Sequence, residues 1–259
     1  MKTIEELKNQ IICGDCLEVM KDIPDKSIDM ILADLPYGTT ACKWDTIIPF
    51  EPLWEQYKRI IKDNGAIVLT ASQPFTSALV MSNIKMFKYE WVWDKVIGGN
   101  IFNCKKMPLK AHENILVFYK NSPTYNPQMV ERDITKYRKK SKEQISPISN
   151  QKLLNKGTFG NKLKYPTSLL TCNRSCGELN MANSKIQVHP TQKPVALFEY
   201  LIKTYTNEGD IVLDNVAGSG TTGVACKNLN RNYILIEKEP EYIDIINKRL
   251  SIKENKNNG

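Results

Sequence analysis

The sequence predicts an α/β protein built on a doubly wound, mostly parallel sheet of the Rossmann-like type, with its strands permuted along the chain and a basic region inserted between them. Three observations carry this. Ile28, Met30, Ile31, Leu32 and Ala33 form a short apolar run, as a strand buried on both faces requires, and the run stops at Asp34-Leu35-Pro36-Tyr37. A second strand, Gly209–Asp214, runs into the glycine-rich Asn215-Val-Ala-Gly-Ser-Gly-Thr-Thr222 and a helical stretch, and acidic Glu237 closes the strand after that. Only one helical segment follows Glu237, so this strand pair must take its other neighbours from the N-terminal half. The Asp34 strand then lies beside the Asp214 strand, and their carboxyl ends share one pocket.

In chain order, Gln10–Cys13 is a short strand candidate, and Gly14-Asp15 turns into the helical Cys16–Lys21. After the Asp34 strand, Gly38 to Pro49 (Thr39, Thr40, Lys43, Trp44, Asp45) has no period and reads as a mobile loop beside the site. Leu53, Trp54, Tyr57, Ile60 and Ile61 fall at helical spacing, and Asn64-Gly65 stops that helix. Gly65–Thr70 is a buried strand, Gln73-Pro74-Phe75 opens a helix, and strands follow over Lys88–Trp93 and Glu113–Tyr119. From Asn121 to Val188, Ser, Asn, Lys and Pro recur without an apolar stripe, so residues 121–188 read as an inserted region between two parts of one domain, 1–120 and 189–259. Val195, Leu197, Phe198, Leu201 and Ile202 then mark a helix, Asn232–Glu237 a strand and Glu239–Leu250 the last helix.

A chain of 259 residues suits one large domain with a smaller insert and can bury a full core. No apolar run is long enough for a membrane span and the start, Met1-Lys-Thr-Ile-Glu-Glu6, is unlike a signal peptide, so a cytoplasmic protein without membrane contact is expected. Seven cysteines at irregular spacing fit reduced thiols. Cys13-x-x-Cys16 and Cys172-x-x-x-Cys176 approach metal-ligand spacing imperfectly, and no metal is expected. The formal charge is +8, and all the excess lies between Ile101 and Gln187, where 16 Lys and Arg face five Asp and Glu. Within it Arg132, Lys136, Arg138, Lys139, Lys140 and Lys142 interleave with Tyr125, Tyr137, Phe159 and Tyr165, a mixture suited to phosphate contact and base stacking.

Gly218-Ser-Gly-Thr-Thr-Gly223 satisfies Gly-x-Gly-x-x-Gly between a strand and a helix, with a carboxylate placed for ribose hydroxyls at Glu237. An NAD-dependent enzyme is therefore a rival reading. Against it, Asp214 sets an extra acid before the glycines, awkward for a pyrophosphate but compatible with a cationic cofactor, and the strands that a dinucleotide domain adds downstream are absent from the sequence. At the other strand end, Asp34, Pro36 and Tyr37 supply an acceptor side chain, a carbonyl with no ladder role and a flat ring. That set can hold a planar base by its amino group.

Asp34-Leu-Pro-Tyr37 resembles the Asp-Pro-Pro-Tyr signature of DNA amino-methyltransferases, with Leu35 in place of the first proline. The order of motifs resembles the β group of that family: Gly14-Asp15-Cys16 near the cofactor's adenine, the catalytic tetrapeptide, Ala111-His112-Glu113 as framework, the recognition region, His189-Pro190-Thr191-Gln192-Lys193-Pro194, and the glycine loop last. The chain looks most like the site-specific adenine-N6 enzymes of restriction-modification systems. The resemblance implies S-adenosylmethionine as cofactor, held by Asp15, Cys16, Asp34, His189, Thr191, Lys193, Asp214, Ala217, Gly218, Gly220, Thr221, Thr222 and Glu237. It implies Asp34, Pro36 and Tyr37 as catalytic residues, double-stranded DNA as substrate, and a homodimer and a cognate restriction endonuclease as candidate partners. Three neighbouring activities stay open: cytosine-N4 methylation, methylation of a protein glutamine, and a silent DNA-binding protein on this fold. Cytosine-C5 chemistry is set aside because the sequence holds no Pro-Cys dipeptide for its nucleophile.

Overall fold

A computed structural model describes residues 2–40, 45–131, 162–172 and 192–251. It separates into two compact units, residues 1–126 with 168–259, and residues 127–167. In the larger unit, eight strands form one sheet: β1 (Gln10–Cys13), β2 (Ile28–Ala33), β3 (Ile61–Ala71), β4 (Phe87–Gly99), β5 (Lys110–Phe118), β8 (Leu169–Thr171), β9 (Ile211–Asp214) and β10 (Asn232–Glu237), in the order β1-β10-β9-β2-β3-β5-β4-β8. In the smaller unit, β6 (Val130–Glu131) pairs antiparallel with β7 (Leu163–Lys164).

The pairing of β2 with β9 is parallel, with Met30 opposite Val212 and Ile31 opposite Leu213, as the permuted reading requires. Asp29 fastens this junction: one carboxylate oxygen accepts from the Ile211 amide at 3.0 Å and the other from Lys62 Nζ at 2.6 Å. From β9 the chain order runs outward through β10 in one direction, and from β2 through β3 in the other. The β2/β9 boundary is therefore the topological switch point, where open α/β sheets bind ligands.

Alternation along β2 and β3 sends side chains to both faces. Ile31, Ala33, Ile67 and Leu69 meet α1 (Ile4–Leu7), α2 (Cys16–Met20), α3 (Phe50–Ile60) and α4 (Phe75–Ser82) through Leu7, Met20, Leu53, Trp54, Tyr57 and Phe75. Met30, Leu32, Ala66 and Val68 meet α5 (Val195–Tyr205) and α6 (Thr221–Asn228) through Leu197, Phe198, Leu201 and Ala225, and α7 (Pro240–Ser251) packs Ile246 on Leu235. Each fully buried Leu, Ile, Val, Met or Phe among these contributes roughly 1.5–3 kcal/mol relative to exposure, which outweighs weak local propensity in short strands such as β9.

Helices start and stop for local reasons. Thr3 and Glu6 form a capping box for α1, a helix that sequence periodicity misses because it is one turn long. Asp15 caps α2 by accepting from the Leu17 amide at 2.9 Å. Three strands exceed their sequence-expected length, β5 by starting at Lys110 rather than Glu113. β3 begins at Ile61, and its pairing with β2 shifts register between Ile28–Ile61 and Met30–Ala66, where Gly65 sits too close to the Asp29 carbonyl for any Cβ. β4 continues to Gly99 through an irregularity between Asp94 and Gly99. The loop after Tyr37 is less free than its composition suggests. The buried Asp45 carboxylate accepts from the amides of Gly38, Thr39 and Thr40 at 2.8, 2.9 and 2.7 Å, which fixes the start of that loop beside the site.

Candidate active site

Register places the chemistry on one edge of the sheet. The parallel strands β2, β3, β9 and β10 end there at Asp34, Thr70 to Ser72, Asp214 and Glu237. Antiparallel β5 begins there, so Glu113, opposite Trp93 of β4, reaches the same edge.

Asp34 accepts from three directions. Tyr37 Oη lies 2.7 Å from Oδ1, the Thr70 hydroxyl bonds the same oxygen, and Lys193 Nζ lies 2.5 Å from Oδ2. Tyr37 stacks on Phe75 with centroids 5.2 Å apart and planes at 27°, so its ring plane is set by the first turn of α4. Burial, and then Asp34 and Glu113, push the Tyr37 phenol well above its usual range, so it stays a neutral donor. Ser72 Oγ is buried just beyond β3 with no hydrogen-bond partner among the described residues.

A chain of alternating charge leads away from Asp34. Lys193, just before α5, also lies 3.5 Å from Glu113 Oε2, and Glu113 Oε1 lies 3.1 Å from Lys95 Nζ. Lys95, Glu113 and Lys193 are all buried. Burial opposes the Lys193 charge, but Asp34 and Glu113 outweigh it and raise the pKa, so the ammonium persists.

The glycine loop joins β9 to α6. Gly218 and Gly220 both hold left-handed backbone, with φ of +53° and +81°. A Cβ on Gly218 would meet nothing within 4 Å, whereas one on Gly220 would strike Ile246 at 2.9 Å. Gly218 thus borders open space on a cradle of backbone, and Gly220 is needed for close packing under it. Arg249 of α7 fixes the loop by donating to the Ser219 carbonyl at 2.6 Å. Glu237 accepts from the Gly218 amide at 2.7 Å and the Glu239 amide at 2.9 Å, which leaves a lone pair on each oxygen. Asp214 accepts from the Val216 amide at 3.1 Å and from the Thr222 hydroxyl. Its burial raises its pKa to about 7, with Asp34 and Glu237 adding in the same direction. A site with an open glycine cradle, a carboxylate for diol hydroxyls and a second buried acid fits a cationic nucleoside cofactor better than a pyrophosphate.

The sequence-expected residues divide as follows. Asp34, Pro36 and Tyr37 follow β2; Asp214, Ala217, Gly218, Gly220, Thr221 and Thr222 follow β9; Glu237 ends β10 and Asp15 and Cys16 start α2. The Gly14 amide donates to the Glu237 carbonyl at 2.9 Å, which joins the start of α2 to the end of β10, and Tyr57 of α3 donates to Asn215 after β9 at 2.6 Å. Cys16 is buried, and burial raises its thiol pKa. Lys193 sits on Asp34. His189, Thr191, Arg132, Lys136, Arg138, Lys139, Lys140 and Lys142 lie outside the described residues. Sequence reasoning missed Thr70, Phe75, Lys95 and, as more than framework, Glu113. Their available signals were a polar residue ending an apolar strand and a lone acid opening one.

The sequence profile of the DNA methylase family matches residues 28–248. The chain is 28% identical to the Type II methyltransferase M.HpaI of Haemophilus parainfluenzae, with 94% of this chain and 74% of that protein covered. It is 31% identical to the DNA adenine methyltransferase YhdJ of Escherichia coli K12, covering 93% and 82%. Among solved structures, the M1.HpyAVI–SAM complex is similar at a TM-score of 0.61 and 28% identity, covering 94% of this chain and 99% of that one. The fold is also that of the cytosine-N4-specific PvuII DNA methyltransferase, with a TM-score of 0.66 at 18% identity over 96% and 88% of the two chains. With the switch point, the Asp34 cluster and the glycine cradle on one edge of a permuted sheet, and the profile spanning most of its length, the chain belongs to the N6/N4 DNA methylase family.

Proposed function

We propose that this protein transfers a methyl group from S-adenosylmethionine to the N6 amino group of adenine, in a nucleotide turned out of duplex DNA. The observation that carries this is the meeting of the Asp34–Tyr37–Thr70 cluster and the glycine cradle at adjacent strand ends, β2 and β9. Asp15, Cys16, Asp214, Ala217, Gly218, Gly220, Thr221, Thr222 and Glu237 would hold the cofactor, together with His189 and Thr191. When bound it supplies an electrophilic methyl group on a sulfonium.

The work of this chain is to prepare the nucleophile. An exocyclic amino nitrogen is weak because its lone pair is delocalised into the ring. Asp34 and the Pro36 carbonyl accept its two N–H bonds, draw it toward tetrahedral geometry and stabilise the positive charge that develops on it. These acceptors act more strongly on the transition state than on the resting base, which is the condition for faster chemistry. Turning the nucleotide out costs a few kcal/mol. Stacking on Tyr37, whose plane Phe75 already fixes, recovers about 1–3 kcal/mol of it.

DNA contact is assigned to residues 121–188, with Arg132, Lys136, Arg138, Lys139, Lys140 and Lys142 neutralising phosphates; Leu169–Thr171 of that segment is an edge strand of the large sheet. No helix among the described residues is long and apolar enough to cross a membrane. We place the enzyme in the cytoplasm, acting with a cognate endonuclease, because M.HpaI and its like are Type II methyltransferases. Mass spectrometry of nucleosides from duplex DNA incubated with enzyme and cofactor should show N6-methyladenine, and Asp34→Ala should abolish it. N4-methylcytosine as the sole product would transfer the same mechanism to cytosine.

A further inference from the structure

Lys193 belongs to the segment whose motif order assigns it to the cofactor, yet its ammonium rests on the catalytic carboxylate at 2.5 Å. Proton accounting around Asp34 gives that contact a consequence. Each hydroxyl has one proton to give, so Tyr37 and Thr70 fill both lone pairs of Oδ1. Lys193 fills one lone pair of Oδ2. One acceptor position is left, on the oxygen beside Lys193, and the Asp34 side chain as a whole is a quarter exposed.

A cation beside an amino group that is itself becoming cationic would slow transfer unless it were balanced. Glu113 lies 3.5 Å from Lys193 on its other side, and Lys95 lies 3.1 Å from Glu113. Along the buried row Lys95, Glu113, Lys193, Asp34 the charge alternates in sign. Loss of Glu113 alone makes the row one unit more positive beside the reacting nitrogen, whereas loss of Glu113 and Lys95 together leaves its net charge unchanged.

We propose that Lys193 is a positioning residue for methyl transfer rather than a cofactor ligand: balanced by Glu113 and Lys95, it orients Asp34 so that a single lone pair of Oδ2 receives the target amino group. This rests on the methyltransferase reading above. The sequence signal was a Lys and a Glu at the ends of neighbouring strands, whose meeting with Lys193 only the folded sheet reveals.

The test uses the full-length enzyme, duplex DNA that the wild type methylates, and calorimetry with S-adenosylmethionine alone. Lys193→Met should lower kcat by about 100-fold or more, the scale for losing one preorganised electrostatic partner, with cofactor Kd changed by less than about threefold. Glu113→Gln should lower kcat by about tenfold at unchanged Kd, and Lys95→Met/Glu113→Gln should recover most of that loss. A large rise in cofactor Kd for Lys193→Met would overturn the proposal by making Lys193 a cofactor ligand. Equal impairment of Glu113→Gln and the double variant would overturn it too, and this pair decides the matter if Lys193→Met fails to fold. A wild type that binds cofactor but methylates no DNA would instead sink the methyltransferase reading, and this proposal with it.

Discussion

Asp214 is the residue whose environment speaks most directly about the cofactor. Buried at the end of β9 and facing Asp34 and Glu237, its carboxyl is pushed up to about 7 from 3.8. An acid whose pKa rises on folding costs stability as pH climbs from about 3.8 to about 7, and the penalty is constant above that. A cation beside it reverses the shift. Binding of S-adenosylmethionine should therefore release a proton, and affinity should increase as pH rises through about 7 and then level off. Calorimetry in buffers of different ionisation enthalpy would count that proton, and Asp214→Asn should flatten the profile; a flat profile in the wild type would refute the assignment. Gly218 and Gly220, four and six residues after Asp214, separate ligand approach from packing. Gly218→Ala strains a left-handed residue by about 1–2 kcal/mol but meets no atom, so its main effect should be on cofactor affinity. Gly220→Ala adds contact with Ile246 at 2.9 Å, so its melting temperature should fall further than that of Gly218→Ala. Equal melting temperatures would contradict that division. The strand-end positions of Asp34, Tyr37 and Glu237 were legible because each sits in a motif whose neighbours explain it. Thr70, Lys95 and Glu113 were not, because their meaning depends on partners 18 to 36 residues away or more.

At the scale of elements, what the sequence showed well were the strands buried on both faces. β2, β9 and β10 appear as apolar runs because packing on both sides demands it. β8 could not be read the same way: Leu169 and Thr171 are exposed on an edge strand, so no run is required. The connection between β4 and β5 was also hidden, since its residues face water. Ile101 and Phe102 there are 66% and 99% exposed, and Lys105, Lys106 and Lys110 beside them are exposed without an acidic neighbour between Lys95 and His112. This connection springs from the same sheet edge as Asp34, the edge to which the proposed function brings duplex DNA. Each phosphate contact contributes about 0.9 to the slope of log affinity against log salt. Lys105→Ala/Lys106→Ala should lower that slope by roughly 1–2 while leaving cofactor affinity unchanged. An unchanged slope would make the two lysines a solvated turn.

For the whole molecule, permutation and insertion are one design. The strand that ends at Asp34 comes early in the chain and the strand that ends at Asp214 late, and the sheet brings them together at the β2/β9 boundary. This was legible from the order of the motifs, with Asp34-Leu-Pro-Tyr37 far ahead of Asp214 and its glycine loop. Sequence alone did not reveal where the insert ends, because Leu169–Thr171 lacks an apolar signature yet pairs with β4. The larger unit takes none of its eight strands from residues 127–167. Its two ends at the insert are also tied down, Asn126 N to the Thr204 carbonyl at 2.7 Å and the Ser168 carbonyl to Val92 N at 2.8 Å. Replacing residues 127–167 by a flexible Gly/Ser linker should therefore leave the large sheet intact, since long surface loops exchange at small entropic cost. Binding of S-adenosylmethionine should remain within a few-fold of the wild type, because the glycine cradle, Asp214 and Glu237 all lie in the larger unit. Methylation of duplex DNA should be lost, with the salt dependence of residual binding much reduced, if the removed basic segment carries recognition. Loss of cofactor binding would show instead that the insert helps build the catalytic unit. Retention of site-specific methylation would move recognition to the sheet edge around Lys105.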